Sequence, residues 1–175
     1  MYVNNQVRVA SLFRGVPPEV FQKRVKRMFF DIQQAWGGIP LEVVNDGEVT
    51  ALAGSMSLHR NGVLGLALGT SLAAGFVTKE GNITSWLNEL AFGPVDYAPT
   101  APRDEWSGDL GCGVQYFSQQ AVGRLLAPAD IFLPKEMPLP DQLKEVQKLM
   151  ADGDPRAGKI YETIGIYLGY AIPHY

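Results

Sequence analysis

The first strong pattern in the chain is an amphipathic helix, predicted to begin at Pro17-Pro18 and to end at Gly37-Gly38. Its apolar positions recur every three or four residues and are Val20, Phe21, Val25, Met28, Phe29, Ile32 and Trp36. Proline in a first turn costs no hydrogen bond, and glycine favours a helix end. Val25 interrupts the charges of Lys23–Arg27 at helical spacing, so we interpret that stretch as solvated helix surface rather than a nucleic-acid patch.

Shorter apolar runs between turn residues predict strands. The predicted strands are Val7–Phe13, Ile39–Val44, Val63–Leu68, Leu72–Thr78 and Ile83–Leu90. A second helix is predicted from about Glu48 to Leu58. Because Gly69-Thr70-Ser71 and Glu80-Gly81-Asn82 are typical turns, the last three strands are predicted to form an antiparallel meander.

The periodicity fails from Gly93 to Gly113, where three prolines and four acidic residues predict a long loop. Loops of that length in compact domains are usually functional. Helices are predicted to follow at about Val114–Leu126, Pro140–Met150 and Asp154–Leu168, the last with Asp154 as its N-cap and Pro155 at its first position.

Composition narrows the class of protein. The chain has 175 residues, 46% of them hydrophobic, as in a soluble globular domain. With a net charge of −3, the chain is too near neutral to supply the positive field that neutralises phosphates, so we expect no nucleic-acid partner. Apolar runs are too short to span a bilayer and the start lacks a signal-peptide pattern, so we expect no membrane partner. The single cysteine, Cys112, excludes a disulfide framework and fits a cytoplasmic location.

Two short segments carry candidate chemistry. Asn45 and Asp46 follow a predicted strand, at the strand end where open α/β sheets place ligands. Asp46 there suits a general base, but spacing alone favours the simpler interpretation that one of the pair caps the next helix. The turn Gly69-Thr70-Ser71 offers backbone amides and hydroxyls to a phosphate, although an ordinary hairpin turn has the same sequence.

Taken together, these segments resemble the ROK family of sugar kinases and repressors. The matching motifs are Asn45-Asp46 with Ala51-Leu52-Ala53, Leu68-Gly69-Thr70 with Gly75, Asn88-Glu89-Leu90-Ala91-Phe92, Gly111-Cys112-Gly113-Val114, and Tyr167 to Ile172. The resemblance implies an α/β, ribonuclease H-like domain of the actin-like ATPase class, with an antiparallel β meander and flanking helices. It also implies an incomplete two-lobed kinase fold: residues 1–46 end the first lobe and include the inter-lobe helix, and residues 47–175 form a second lobe that lacks its last segment.

The resemblance also implies a function, which is ATP-dependent phosphoryl transfer to a sugar hydroxyl. In that role Asp46 is the catalytic base, and Asn45 and Glu89 bind the sugar. Gly69, Thr70 and Ser71 line the phosphates of ATP, with Mg²⁺ as its metal. The expected partner is a sugar or sugar-like small molecule, and the family allows a homodimer.

Departures from the family pattern support an alternative. Phe92 replaces a histidine that contacts sugar and zinc, Val114 replaces a sugar-binding glutamate, and one cysteine remains, so we expect no structural zinc. The alternative is a non-catalytic sugar- or metabolite-binding or oligomerisation module on the same fold. A third possibility is an unrelated α/β domain in which Asn45-Asp46 only caps a helix. The first phosphate motif and the adenine-side motif are missing, so we expect this chain alone to be inactive.

Overall fold

The structure is a computed structural model that describes residues 2–3, 5–7, 13, 15–84 and 88–175. It divides into two compact units, which are treated separately below. Unit 1 comprises residues 1–64 and 75–87, and unit 2 comprises residues 65–74 and 88–175.

Unit 1 begins with a small antiparallel pair, β1 (Tyr2–Val3) and β2 (Gln6–Val7). The strand predicted at Val7–Phe13 therefore starts where β2 ends, and residues 8–12 of that prediction lie outside the described residues. The predicted helix follows, in three segments rather than one: α1 (Pro18–Val20), a π-helical turn (Phe21–Val25) and α2 (Met28–Ala35).

A π turn interrupts the predicted first helix because the backbone N–H of Lys26 donates to the carbonyl of Phe21, 2.9 Å away and five residues earlier. The helix ends as predicted, with Gly37 and Gly38 at φ values of 79° and 75°. The predicted apolar face is buried only in part. Val25 is buried, as expected for that face, but Trp36 is 60% exposed.

Residues 39–44 form no strand, so the prediction at Ile39–Val44 was wrong. The segment bonds to a side chain instead of a neighbouring strand. Asn5 donates from its amide nitrogen to the carbonyl of Leu41 and accepts from the N–H of Val43, both at 2.7 Å. The helix predicted after it is present as α3 (Asp46–Leu58).

The hairpin of β3 (Val63–Leu68) and β4 (Leu72–Val77) confirms two strands of the predicted meander and runs through both units. The predicted third strand, Ile83–Leu90, reduces to a single bridge between Ile83 and Val77. Residues 85–87 of that prediction lie outside the described residues, and Leu90 begins a 3₁₀ turn that extends to Phe92.

Unit 2 is mainly helical and contains α4 (Gln119–Leu125), α5 (Leu139–Ala151) and α6 (Pro155–Ala171). Asp154 caps α6 as predicted, because its carboxylate accepts from the N–H of Arg156 at 2.8 Å. The helix predicted from Val114 starts later, since residues 113–115 form a 3₁₀ turn and the Ser118 hydroxyl caps α4.

Two apolar clusters stabilise unit 2. The first lies among α4, α5 and α6 and contains Ala121, Val122, Leu126, Ile131, Val146, Ala157, Ile160 and Ile164. The second joins the hairpin to the end of α6 and contains Leu72, Ala91, Cys112, Val114, Phe117 and Ala171. The α/β class predicted from the sequence is therefore confirmed, with a small antiparallel sheet. In the part of the chain that the structure describes, every helix is too short or too polar to cross a membrane.

Candidate functional site

Asn45 is the N-cap of α3, so the helix-cap interpretation of this segment is confirmed. Its side-chain oxygen accepts from the N–H of Gly47 at 2.9 Å. The carboxylate of Glu48 accepts in turn from the N–H of Asn45 at 3.0 Å, which completes a capping box. The side-chain oxygen of Asn45, the residue that the family resemblance assigns to a sugar, thus accepts a hydrogen bond from the helix.

Asp46 is the first residue of α3, and its side chain is exposed. One carboxylate oxygen lies 3.0 Å from the N–H of Gly47, and the hydroxyl of Thr50 donates to the Asp46 carbonyl at 2.9 Å. Asp46 therefore presents its carboxyl group to solvent from the first turn of α3.

Gly75 fixes that first turn against β4. A Cβ atom at Gly75 would lie 2.3 Å from the Gly47 carbonyl oxygen and 2.5 Å from the backbone nitrogen of Glu48. Only glycine permits this approach of two backbones. The sequence analysis placed Gly75 in the phosphate hairpin motif, whereas the structure gives it a packing role beside Asn45 and Asp46.

Replacing the cap residue tests this arrangement. We expect Asn45→Ala to lower the free energy of unfolding by about 1 kcal/mol, because the N–H of Gly47 loses its acceptor. Asn45→Asp keeps an acceptor at the same place and should unfold close to the native protein in urea. Equal stability of Asn45→Ala and the native protein would contradict the cap.

The predicted phosphate turn, Gly69-Thr70-Ser71, is exposed and connects β3 to β4. Both backbone groups of Gly69 are already bonded: its N–H donates to Ser71 and its carbonyl accepts from the N–H of Gln119, each at 2.9 Å. The Gly69 amide is therefore already used within the hairpin, which leaves the hydroxyls of Thr70 and Ser71 as the candidate phosphate contacts of this turn.

Glu89 lies in unit 2, directly before the 3₁₀ turn that begins at Leu90, and its carbonyl accepts from the N–H of Phe92 at 3.1 Å. The two positions that depart from the family motif are packing positions. Phe92 contacts Trp106 with ring centroids 5.0 Å apart, and Val114 is buried in the second apolar cluster.

The structure thus distributes the predicted site residues over three elements. Asn45 and Asp46 share the first turn of α3 in unit 1. In unit 2, Gly69-Thr70-Ser71 form one turn, and Glu89 precedes another.

The long loop between Gly93 and Gly113 is folded on itself rather than open. Its ends pair through a bridge between Pro94 and Cys112, and a second bridge joins Arg103 to Leu110. At its centre Asp104 is buried and accepts from the N–H of Ser107 at 2.7 Å and from the Gln115 amide at 3.3 Å. Burial favours a raised pKa for Asp104, but these hydrogen bonds outweigh it and the pKa is lowered.

A chain of polar contacts continues from Asp104. The Gln115 side-chain oxygen accepts from the guanidinium of Arg124, which stands 5.5 Å over the ring of Tyr116. The Tyr116 hydroxyl donates in turn to the carboxylate of Asp96. Burial, and then the contact with Asp96, raise the pKa of Tyr116 far above its usual range. The same hydrogen bond is the main cause of the lowered pKa of Asp96, whose carboxylate is therefore ionised at neutral pH.

Asp96 and Tyr116 belong to the wall of a cavity of about 750 Å³ that lies wholly within unit 2. Other tyrosines in its wall are Tyr97, Tyr167, Tyr170 and Tyr175. No motif in the sequence predicted this cavity. A usable signal was the spacing of Tyr167 and Tyr170 three residues apart on the last helix, since two neighbouring exposed aromatic rings are unusual unless they have a partner.

Metal-ligating groups are scattered: within the described ranges, no three of the His, Cys, Asp and Glu side chains converge on a point that suits a metal ion. Cys112 is buried, and that burial is the main cause of its raised thiol pKa. Its thiol therefore has little of the thiolate character that a reactive cysteine needs.

No family model matches the sequence, and a search of the curated proteins gives no match. Solved structures do match. One is a ROK family transcriptional regulator, a homologue of the E. coli Mlc protein, at 26% identity and a TM-score of 0.65. Another is a ROK hexokinase from Thermus thermophilus, at 18% identity and a TM-score of 0.58. Each match covers 85% of this chain, but only 39% of the regulator and 48% of the hexokinase.

The chain therefore shares the α/β fold found in part of the ROK proteins, and it spans less than half the length of either neighbour. The resemblance to the ROK family that the sequence motifs indicated is confirmed.

Proposed function

We propose that this chain is part of a cytoplasmic ROK-like sugar kinase and that it contributes the residues that recognise and deprotonate the sugar. The observation that carries the proposal is Asp46: an exposed carboxylate, held in a rigid first turn by the capping box and by the close packing of Gly75. We infer that the complete protein has the ribonuclease H-like arrangement of actin-like ATPases.

The proposed chemistry follows from the carboxylate. Asp46 is proposed to accept the proton of a sugar hydroxyl while the hydroxyl oxygen attacks the γ-phosphorus of ATP and the bond from that phosphorus to ADP breaks, so ADP leaves and the charge on the attacking oxygen is never fully formed. Glu89 is proposed to accept hydrogen bonds from further sugar hydroxyls, which a carboxylate does well. ATP with Mg²⁺ would supply the phosphoryl group when bound, and the hydroxyls of Thr70 and Ser71 are the groups proposed to hold its phosphates.

The test is Asp46→Asn, which keeps the size of the side chain and removes the base. We expect phosphoryl transfer to hexoses to fall by roughly 100- to 10,000-fold, the usual contribution of a general base. A coupled assay of ADP release over a panel of hexoses measures this, on this chain and on any longer form that the gene encodes. Asp31→Asn on α2, another exposed aspartate in the first turn of its helix, is the matched control and should leave the rate unchanged.

If Asp46→Asn retains the full rate, Asp46 is not the base. A longer form with no transfer activity but with sugar binding points to the second candidate function, a non-catalytic sugar- or metabolite-binding or oligomerisation module. The packing of Phe92 against Trp106 and the burial of Val114 favour it, because two positions that contact sugar in the family serve the core here.

Thermal unfolding separates the two candidates. A ligand that binds only the native protein raises its Tm. Stabilisation by a sugar without any effect of ATP supports the binding module, and stabilisation by both supports the kinase. Light scattering on the same samples tests the homodimer that the family resemblance allows.

A further inference from the structure

The tyrosine-lined cavity of unit 2 is built from the start of the long loop, the residues after Gly113 and the end of α6. Its volume of about 750 Å³ is that of a small-molecule site. None of Asn45, Asp46, Glu89 or the turn at Gly69 lines it, so the proposed kinase function leaves it unexplained.

Tyrosine is the most frequent residue in the cavity wall. Tyr97 and Tyr170 are 83% and 77% exposed, and Tyr167 is 40% exposed, so rings of three tyrosines are open to a ligand. An aromatic face carries partial negative charge and attracts cations. Unit 2 already contains one such contact, between the Arg124 guanidinium and the ring of Tyr116.

A carboxylate in the cavity wall adds to the partial negative charge of the aromatic rings. Asp96 is the one aspartate or glutamate among the residues that line the cavity, and these include one histidine, His174, but no lysine or arginine. The hydroxyl of Tyr116 and the N–H of Ala98, the latter at 2.8 Å, hold the carboxylate in place. A carboxylate has about four acceptor positions, so two donors leave it able to bind a further cation.

We propose that this cavity is a binding site for an organic cation, an alkylated or quaternary ammonium group held between the tyrosine rings and the carboxylate of Asp96. The apolar part of the ligand contacts the rings, and its positive charge faces Asp96. Anions are disfavoured by the same charge. The ligand class differs from that of the proposed kinase, so the two proposals stand or fall separately.

The probe is choline, compared with its neutral isostere 3,3-dimethylbutan-1-ol by isothermal titration calorimetry on the unaltered chain. We expect saturable binding of choline, and weaker binding of the isostere by about tenfold, because only the charge differs. Benzyltrimethylammonium should bind at least as well as choline, since its ring adds apolar contact. Equal affinity for choline and the isostere, or no saturable binding of either cation, overturns the proposal.

Variants locate the site. Asp96→Asn keeps an oxygen that accepts from Tyr116 and loses the charge, so we expect about tenfold weaker choline binding. Tyr170→Ala should also weaken choline binding several-fold.

The matched controls are Asp109→Asn, an exposed acid in the same loop, and Phe132→Ala, an aromatic that is 80% exposed and lies outside the cavity. Native affinity in Asp96→Asn, or equal losses in the controls, places the cation elsewhere and overturns the assignment. The choline and isostere comparison decides the case even if a variant fails to fold.

Discussion

Gly111→Ala is expected to destabilise the protein by roughly 4 kcal/mol, a large part of the stability of a typical domain. Gly111 has φ +64°, and a Cβ atom there would lie 1.8 Å from the carbonyl oxygen of Asp96. The substitution therefore combines a strained backbone with an overlap between the new methyl group and a backbone atom. Rotation of a side chain cannot relieve that overlap, because the overlapped atom belongs to the backbone.

Moving the backbone would also break hydrogen bonds. The carbonyl of Gly111 accepts from the N–H groups of Val95 and Asp96, at 2.8 and 3.0 Å, and its own N–H donates to Pro102 at 2.9 Å. These bonds close the base of the long loop and hold Asp96 in the cavity wall. Urea unfolding followed by circular dichroism measures the loss, and choline binding should disappear with it.

Gly108→Ala is the matched control for that substitution. Gly108 lies in the same loop with φ +80°, but nothing lies within 4 Å of the position its Cβ would take. We expect it to cost about 1 kcal/mol, the strain of the backbone alone. If the two variants lose the same stability, the close approach of Gly111 to Asp96 is wrong.

Local sequence patterns predicted those secondary-structure elements that are stabilised by residues close to them in the sequence. Apolar runs on both sides of Gly69-Thr70-Ser71 predicted the hairpin, and Asp154-Pro155 predicted the start of α6. In each case the side chains and caps that stabilise the element lie within a few residues of it. The cap interpretation of Asn45 succeeded for the same reason, since all its partners lie within three residues.

Features that depend on distant residues could not be predicted in this way. The apolar run at Ile39–Val44 resembles a strand, but its backbone is bonded by Asn5, more than 30 residues earlier. The cavity joins Asp96 to residues near the end of α6, about 70 positions later in the sequence, and no pattern in either segment points to the other. Long-range pairs of this kind leave no periodic signal, and a single sequence has no other record of them.

Gly75→Ala is expected to lower the free energy of unfolding by about 3 kcal/mol, because the new methyl group would overlap the backbone of the first turn of α3. The contact joins β4 to Gly47 and Glu48, so the turn must move or β4 must separate from it. Either change alters the position of Asp46. If Asp46 is the base, the variant should therefore lose phosphoryl transfer even at temperatures where it remains folded.

Gly54→Ala provides the control for this effect within α3 itself. A Cβ atom at Gly54 would lie 3.6 Å from a methyl group of Val63, an ordinary contact, and alanine is the better helix former. We expect that variant to be as stable as the native protein or up to about 1 kcal/mol more stable. Hydrogen exchange at the amides of Gly47 and Glu48 shows whether either substitution loosens the first turn of α3. Rapid exchange in Gly75→Ala alone means that β4 holds the turn carrying Asp46, whereas native protection in both variants means that the turn is held by its capping box without β4.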